Sequence, residues 1–158
     1  MTTTLTLPYP ISANRYWATR VIKRKGAKFS TAMTYVTPEA EQYKRAVGSI
    51  AIAAGLRTPH AGRVALLVRL FPDRPQDWAR RSRKDPDTWD DGVRCIDLGN
   101  CEKVLSDALN GIAWADDKQL RRIVLERCEP DEKGARVEVE ITALSAAPIA
   151  PELFAGAA

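Results

Sequence analysis

The stretch from Cys95 to Gln119 constrains this 158-residue chain more than any other. On a helix of about 3.6 residues per turn, Leu98, Cys101, Val104, Leu105, Ala108, Leu109 and Ile112 fall on one broad apolar face. A face that wide has to be buried against a second layer, so the chain folds as helices packed on something flat. Asn100, Lys103 and Asp107, spaced by three and four, form a polar stripe on the opposite side, and Asp97 lies one turn before Asn100. The spacing predicts a helix over 96–111.

The rest of the chain supplies the flat layer. Arg63 to Phe71 is short and rich in Val and Leu, and reads as a central strand stopped by Pro72. Thr2 to Leu7 places Leu5 and Leu7 at alternate positions, a half-buried strand ended by Pro8 and Pro10. Gln119 to Cys128 and Arg136 to Ala143 alternate in the same way and read as paired antiparallel strands joined by the turn Pro130 to Gly134. Thr37-Pro38-Glu39 has the signature of a helix start. That helix should run to about Ala54, close at Gly55, and face the core with Tyr43, Val47, Ile50 and Ala54. Ile11 to Ser30 is basic and aromatic without core periodicity, and Asp73 to Arg94 is nearly all charge, Pro and Trp; both read as exposed loops. The expectation is a compact single-domain α/β (α+β) fold over 1–144, in the order β-α-β-α-β-β, with a mixed sheet and two main helices. The Ala/Pro-rich stretch from Ser145, residues 145–158, reads as a disordered tail.

Composition excludes several chemistries. The single histidine, His60, sits in a turn composition and reads as a solvated loop residue, so His-rich zinc sites and a Ser-His-Asp triad built elsewhere are unavailable. Cys95, Cys101 and Cys128 form no C-x-x-C pair and read as reduced thiols of a cytoplasmic protein. No stretch approaches the roughly 20 apolar residues of a membrane span, and the first residues lack a secretory pattern, so no membrane partner is expected. Twenty-four Lys plus Arg against twenty Asp plus Glu give a net charge of only +4, yet the cations cluster. Arg20, Lys23, Arg24, Lys25 and Lys28 make one group, and Arg80, Arg81, Arg83 and Lys84 a second, as phosphate contacts of DNA require. Solvated loop charge is the alternative for either group. Tyr16, Trp17, Trp78 and Trp89 flank these clusters and would either stack on unpaired bases or anchor the loops to the core. The acidic run from Asp85 to Asp91 would repel DNA or cover the second cluster.

Carboxylates must then carry any catalysis. Asp97 stands at the helix start, and Asp116-Asp117 follows the helix, where a short reversal could bring it back. Carboxylates from two such places can converge on a hard cation that keeps open water positions, as Mg²⁺ does. Such a cation generates a hydroxide nucleophile, and Lys103 could neutralise the phosphoryl transition state or help the leaving oxygen depart. A merely solvated helix face remains the other reading of the stripe.

Three blocks in order carry a family resemblance: Leu7-Pro8-Tyr9-Pro10-Ile11-Ser12-Ala13-Asn14-Arg15-Tyr16; Asp97-Leu98-Gly99-Asn100-Cys101-Glu102-Lys103 with Asp107-Ala108-Leu109-Asn110-Gly111; and Trp114-Ala115-Asp116-Asp117-Lys118-Gln119. Over residues 5 to 143 the chain resembles the RusA family of Holliday-junction resolvases, endonucleases common in prophages. The resemblance implies a homodimer that nicks opposing strands of branched DNA, a four-way junction above all, in recombination and repair. It implies Mg²⁺ as cofactor, with Mn²⁺ as a substitute and no small-molecule cofactor. Carried over residue by residue, it gives Asp97 and Asp117 as metal ligands, Lys103 as the essential base-type residue, and Asn100 and Asp107 in support. Asn14 and Arg15 join Lys23, Arg24, Lys25, Arg80, Arg81, Arg83 and Lys84 as expected DNA contacts. Gly99 stands where the family pattern has a second Asp. Asp116 could supply the missing ligand, Asp107 could act through water, or a water could fill the gap. A catalytically weakened or inactive junction-binding protein is the alternative reading.

Overall fold

The computed structural model describes residues 2–26 and 28–144; the tail read from Ser145 onward lies outside the described residues. In chain order the elements are β1 (Thr2–Pro8), α1 (Ala13–Tyr16), β2 (Trp17–Ile22), β3 (Thr31–Val36), α2 (Pro38–Ala53), β4 (Val64–Phe71), α3 (Trp78–Lys84), α4 (Leu98–Leu109), a 3₁₀ turn (Asp117–Gln119), β5 (Leu120–Arg127) and β6 (Arg136–Ala143). Four strands form one sheet in the order β1-β6-β4-β5, and β2 pairs with β3 in a separate ribbon. β4 runs parallel to β5 and antiparallel to β6, so the sheet is mixed and the α+β expectation holds. With the ribbon and short helices set aside, the order is the expected β-α-β-α-β-β.

Register aligns apolar side chains in rows across the sheet. Leu5 faces Val139, Val139 faces Val68, and Val68 faces Leu125. The buried face of these strands meets α2 and α4, and Trp114 and Tyr16 complete the core with no exposed surface. On the other face Arg69 bridges Glu126 at 3.1 Å and Glu140 at 2.5 Å. One sheet face is therefore core and the other a polar surface, as a two-layer domain requires.

The last two strands do not pair with each other. β4 lies between them, and Cys128 N–H donates to the Leu70 carbonyl at 2.9 Å as the chain steps over the end of β4. Period-two alternation shows which face of a strand is buried, never which strand lies beside it. The core face of α2 is also rotated from the expected one: Ala40, Tyr43, Val47, Gly48 and Ala51 are buried, Ile50 is half-buried, and Ala54 is an exposed cap. Small residues let the helix approach closely, and a Cβ at Gly48 would stand 3.2 Å from Ile112 Cδ1. The N-terminus of α2 forms as expected, with the Thr37 hydroxyl accepting from Ala40 N–H at 3.3 Å.

Both expected loops contain structure. Residues 11–30 hold α1 and β2, whose strand has no buried residue and so no alternating signal. Residues 73–94 hold α3 and bury Trp89 and Val93. Trp89 Nε1 donates to Glu129 at 2.6 Å, and Arg127 donates to the carbonyls of Asp90 and Val93, each at 3.0 Å. Trp89 is thus an anchor, not a stacking platform, and so is Tyr16. His60 is half-buried, its Nε2 without a partner among the described residues, in contrast to the solvated residue expected. All three cysteines are free, and burial pushes the Cys101 thiol up to about 12. No described helix is long and apolar enough to cross a membrane.

Candidate active site

The start of α4 is built by a tyrosine from the first sequence block. Tyr9 hydroxyl accepts the Ile96 N–H at 3.0 Å and donates to Cys95 Sγ at 3.5 Å, fixing the segment that leads into the helix. Burial first, then the Cys95 contact, pushes this phenol up to about 12, so it stays a neutral donor. Asp97 is the N-cap residue, in extended conformation (φ −65°, ψ 141°), but its side chain makes no capping bond. Among the described residues its carboxylate meets only the Asn100 amide, at 3.3 Å. Lys103 is exposed farther along α4 and has no ion pair among the described residues.

Asp117 is held from below by a buried indole. After α4 the chain reverses through Gly111, whose N–H donates to the Trp114 carbonyl at 2.7 Å, and Trp114 Nε1 donates to Asp117 Oδ1 at 3.0 Å. Asp116 has a structural task. It caps the 3₁₀ turn, accepting Lys118 N–H at 3.0 Å, while Lys118 Nζ sits 3.0 Å from its other oxygen. Those contacts, the backbone hydrogen bond first, hold its carboxyl below the usual range. Gln119 closes the box, accepting from the N–H groups of Ala115 and Asp116 and donating to the carbonyls of His60 and Gly62.

The stripe on α4 divides into two environments. Asn100 belongs with Asp97. Asp107 instead accepts the Tyr16 hydroxyl and pairs with Lys44 Nζ at 3.0 Å, tying α4 to α1 and α2. Burial, then this hydrogen bond, raises the Tyr16 phenol far above its ordinary value, so it remains a donor.

Asp97 and Asp117 lie at opposite ends of α4. Its 12 residues rise about 18 Å at about 1.5 Å each. Asp97 follows the Tyr9 contact, where β1 and β4 end, since Pro8 and Phe71 both pair with Arg136. Asp117 precedes β5 beside Gln119, which is bonded to the carbonyls of His60 and Gly62 just before β4 begins. The expected short reversal therefore does not bring the two together within one chain. Among the described residues no group of three His, Cys, Asp or Glu is arranged to hold a metal ion.

The donor chemistry nevertheless separates the acids cleanly. Asp107 and Asp116 have lysine partners, whereas Asp97 and Asp117 are exposed, carry no ion pair among the described residues, and each accept one neutral N–H. Oxygen donors left free in this way fit a hard divalent cation, which is commonly bound through one or two carboxylates and keeps several waters.

Several expected DNA contacts are spoken for. Arg15 pairs with Glu39 at 2.7 Å beside exposed Asn14. Arg80 and Arg81 grip Asp77 at 2.9 and 2.8 Å and hold its carboxyl below the usual range, while Arg83 donates to the Ala79 carbonyl. Lys84, Arg80, Arg81, Asp85 and Trp89 line a groove of about 480 Å³ on α3, so one member of the acidic run does border the second basic cluster. Lys23, Arg24 and Lys25 are exposed beyond β2 without ion pairs among the described residues. The structural roles of Tyr9, Tyr16, Lys44 and Trp114 were not readable from spacing; the first, second and fourth lie inside the three sequence blocks, and Lys44 left no signal.

A family model described as Endodeoxyribonuclease RusA matches residues 8–142, from the end of β1 nearly to the end of β6. No curated protein matches the chain.

Proposed function

Since the chain belongs to the RusA family of endodeoxyribonucleases, which resolve Holliday junctions in a divalent-metal-dependent reaction, we propose that it nicks four-way DNA as a homodimer with two sites, each shared between the chains. The observation that carries this reading is the placement of Asp97 and Asp117 at opposite ends of α4. Two chains related by a two-fold axis, with their α4 helices antiparallel, bring Asp97 of one beside Asp117 of the other, twice. Those two carboxylates would hold the cation, Mg²⁺ in this reading with Mn²⁺ as substitute. When bound, it supplies an acidified water and charge neutralisation at the phosphate. Lys103, on the same helix as Asp97, places its ammonium against the phosphate as negative charge accumulates there. Asn100 orients Asp97, and Trp114 orients Asp117. The endonuclease domain covers 1–144 and acts in recombination and repair.

Mixing tests the shared site directly. Asp97→Asn and Asp117→Asn each abolish nicking of a synthetic four-way junction. Co-refolded in equal amounts, they form heterodimers in which one site is intact, restoring roughly a quarter of the wild-type rate by random pairing. No recovery in a confirmed mixed dimer sinks the shared site. Gly99, in place of the family's second Asp, favours a second reading: a junction-binding protein that cuts poorly or not at all. Tight junction binding with no nicking in Mg²⁺ or Mn²⁺ selects it.

A further inference from the structure

The connection between α1 and α2 is a ribbon that touches the core only at its base, through half-buried Trp17 and Val36. Neither β2 nor β3 contains a buried residue, and beyond itself the ribbon packs chiefly on α1. Its register sets Thr19 against Thr34, whose hydroxyls meet at 3.1 Å, and Arg20 against Met33. Alternation puts Arg20, Ile22, Thr31, Met33 and Tyr35 on one face. The Arg20 guanidinium lies 5.6 Å from the Tyr35 ring centroid on that face. Near the turn Phe29 is 83% exposed, and with Ile22, Arg24, Thr31 and Met33 it lines a cleft of about 310 Å³.

Charge narrows what can occupy this face. Residues 17–36 carry Arg20, Lys23, Arg24, Lys25 and Lys28 and no Asp or Glu. None of the five is in an ion pair among the described residues. A surface of unpaired cations repels a second copy of itself and attracts a polyanion. The exposed phenylalanine needs more than phosphate, because the bases of an intact duplex present no free ring face. A branch point does, where stacking is interrupted.

We propose that the β2–β3 ribbon is an arm that reads the branch: its cations follow the phosphates beside the crossover, and Phe29 stacks on a base unstacked there. The inference rests on the nuclease reading above and deepens it by naming what distinguishes branched from linear DNA. The ribbon has the width of elements that enter DNA grooves, and stacking on one aromatic ring is tolerant of base identity.

The test uses the full-length protein in EDTA with a four-way junction carrying 2-aminopurine at the crossover and a linear duplex of the same sequence. Wild type changes the fluorescence and prefers the junction. Phe29→Ala loses the fluorescence change and roughly tenfold of junction affinity, the order of one stacked base, with duplex affinity unchanged. Phe29→Trp restores both. Phe29→Ala that matches wild type, while wild type still cuts junctions in Mg²⁺, overturns the arm and leaves the nuclease reading standing. Wild type that neither binds nor cuts the junction overturns both. Sedimentation of Phe29→Ala supplies one more refuting outcome: a dimer turned monomer shows that a second copy, not DNA, covers the ring.

Discussion

Gly99→Asp restores a carboxylate at the position where the family pattern has one, and the structure allows its effect to be divided. Gly99 is the second residue of α4; its φ is not among the positive glycine angles, and a Cβ there meets nothing within 4 Å. The substitution is therefore free of steric strain. Replacing Gly in a helix gains a few tenths of a kcal/mol, and an anion in the first turn gains about 0.3–1 kcal/mol from the helix dipole. Repulsion from exposed Asp97 opposes part of this, leaving a net gain of about 0.5–1 kcal/mol, a rise in Tm of roughly 2–3 °C for a chain of this size. A cation held at Asp97 gains a second carboxylate within about 5 Å, worth about 1–2 kcal/mol at the dielectric of water, or roughly tenfold in affinity. Gly99→Asn keeps the shape without the charge. Calorimetric titration with Mg²⁺ and Mn²⁺, beside thermal melts in EDTA, separates the two effects. A Gly99→Asp variant with raised Tm and unchanged metal affinity refutes the placement of the cation next to Asp97.

Tyr16→Phe removes the hydroxyl that Asp107 accepts and should cost about 1–2 kcal/mol in urea unfolding while leaving metal affinity unchanged; a loss of metal binding would show that Asp107 serves the cation after all. Trp114→Phe takes the N–H from Asp117 and should lower nicking severalfold while junction binding in EDTA persists, with a cost of about 1–3 kcal/mol in stability. Alkaline pH should destabilise the fold. Burial raises Cys101 and Tyr9 each to about 12, from 9.0 and 10.0. The native state then keeps protons that the unfolded chain releases, so the stability they contribute is complete below about pH 9 and is lost toward pH 12. The slope is at most about 1.4 kcal/mol per pH unit per group. A Tm that stays flat from pH 9 to 11.5 contradicts this.

The parts of the fold that were legible have strong local causes. α4 could be read because its apolar residues are large and recur at helical spacing, and all the buried positions except Ser106 belong to the expected face. β4 and β6 could be read because nearly every second residue is a buried aliphatic. α2 was read in extent but not in orientation, since its contact runs through Ala40, Gly48 and Ala51, which carry little hydrophobic signal. The ribbon is illegible for the opposite reason: strands with no fully buried residue show no alternation. The position of β5 beyond β4 was missed because strand neighbours are set by how the sheet is shared among all its members.

Asp97 and Asp117 stay apart within one chain for a topological reason that the sheet directions supply. A helix that connects two parallel strands starts at the end where the first strand finishes and returns to the end where the second begins. β4, α4 and β5 form such a crossover, so acids just before and just after α4 are held a helix length apart. This holds whether β5 neighbours β4 or β6, because a strand antiparallel to β6 is parallel to β4. Short spacing in sequence thus argued for convergence where chain direction forbids it. In the two-fold dimer proposed above the separation would be useful: antiparallel helices would invert the two ends, and each shared site would depend on the partner being in place. On that proposal a monomer has carboxylates but no complete site, which would link cutting to assembly on a junction whose two strands are to be nicked together.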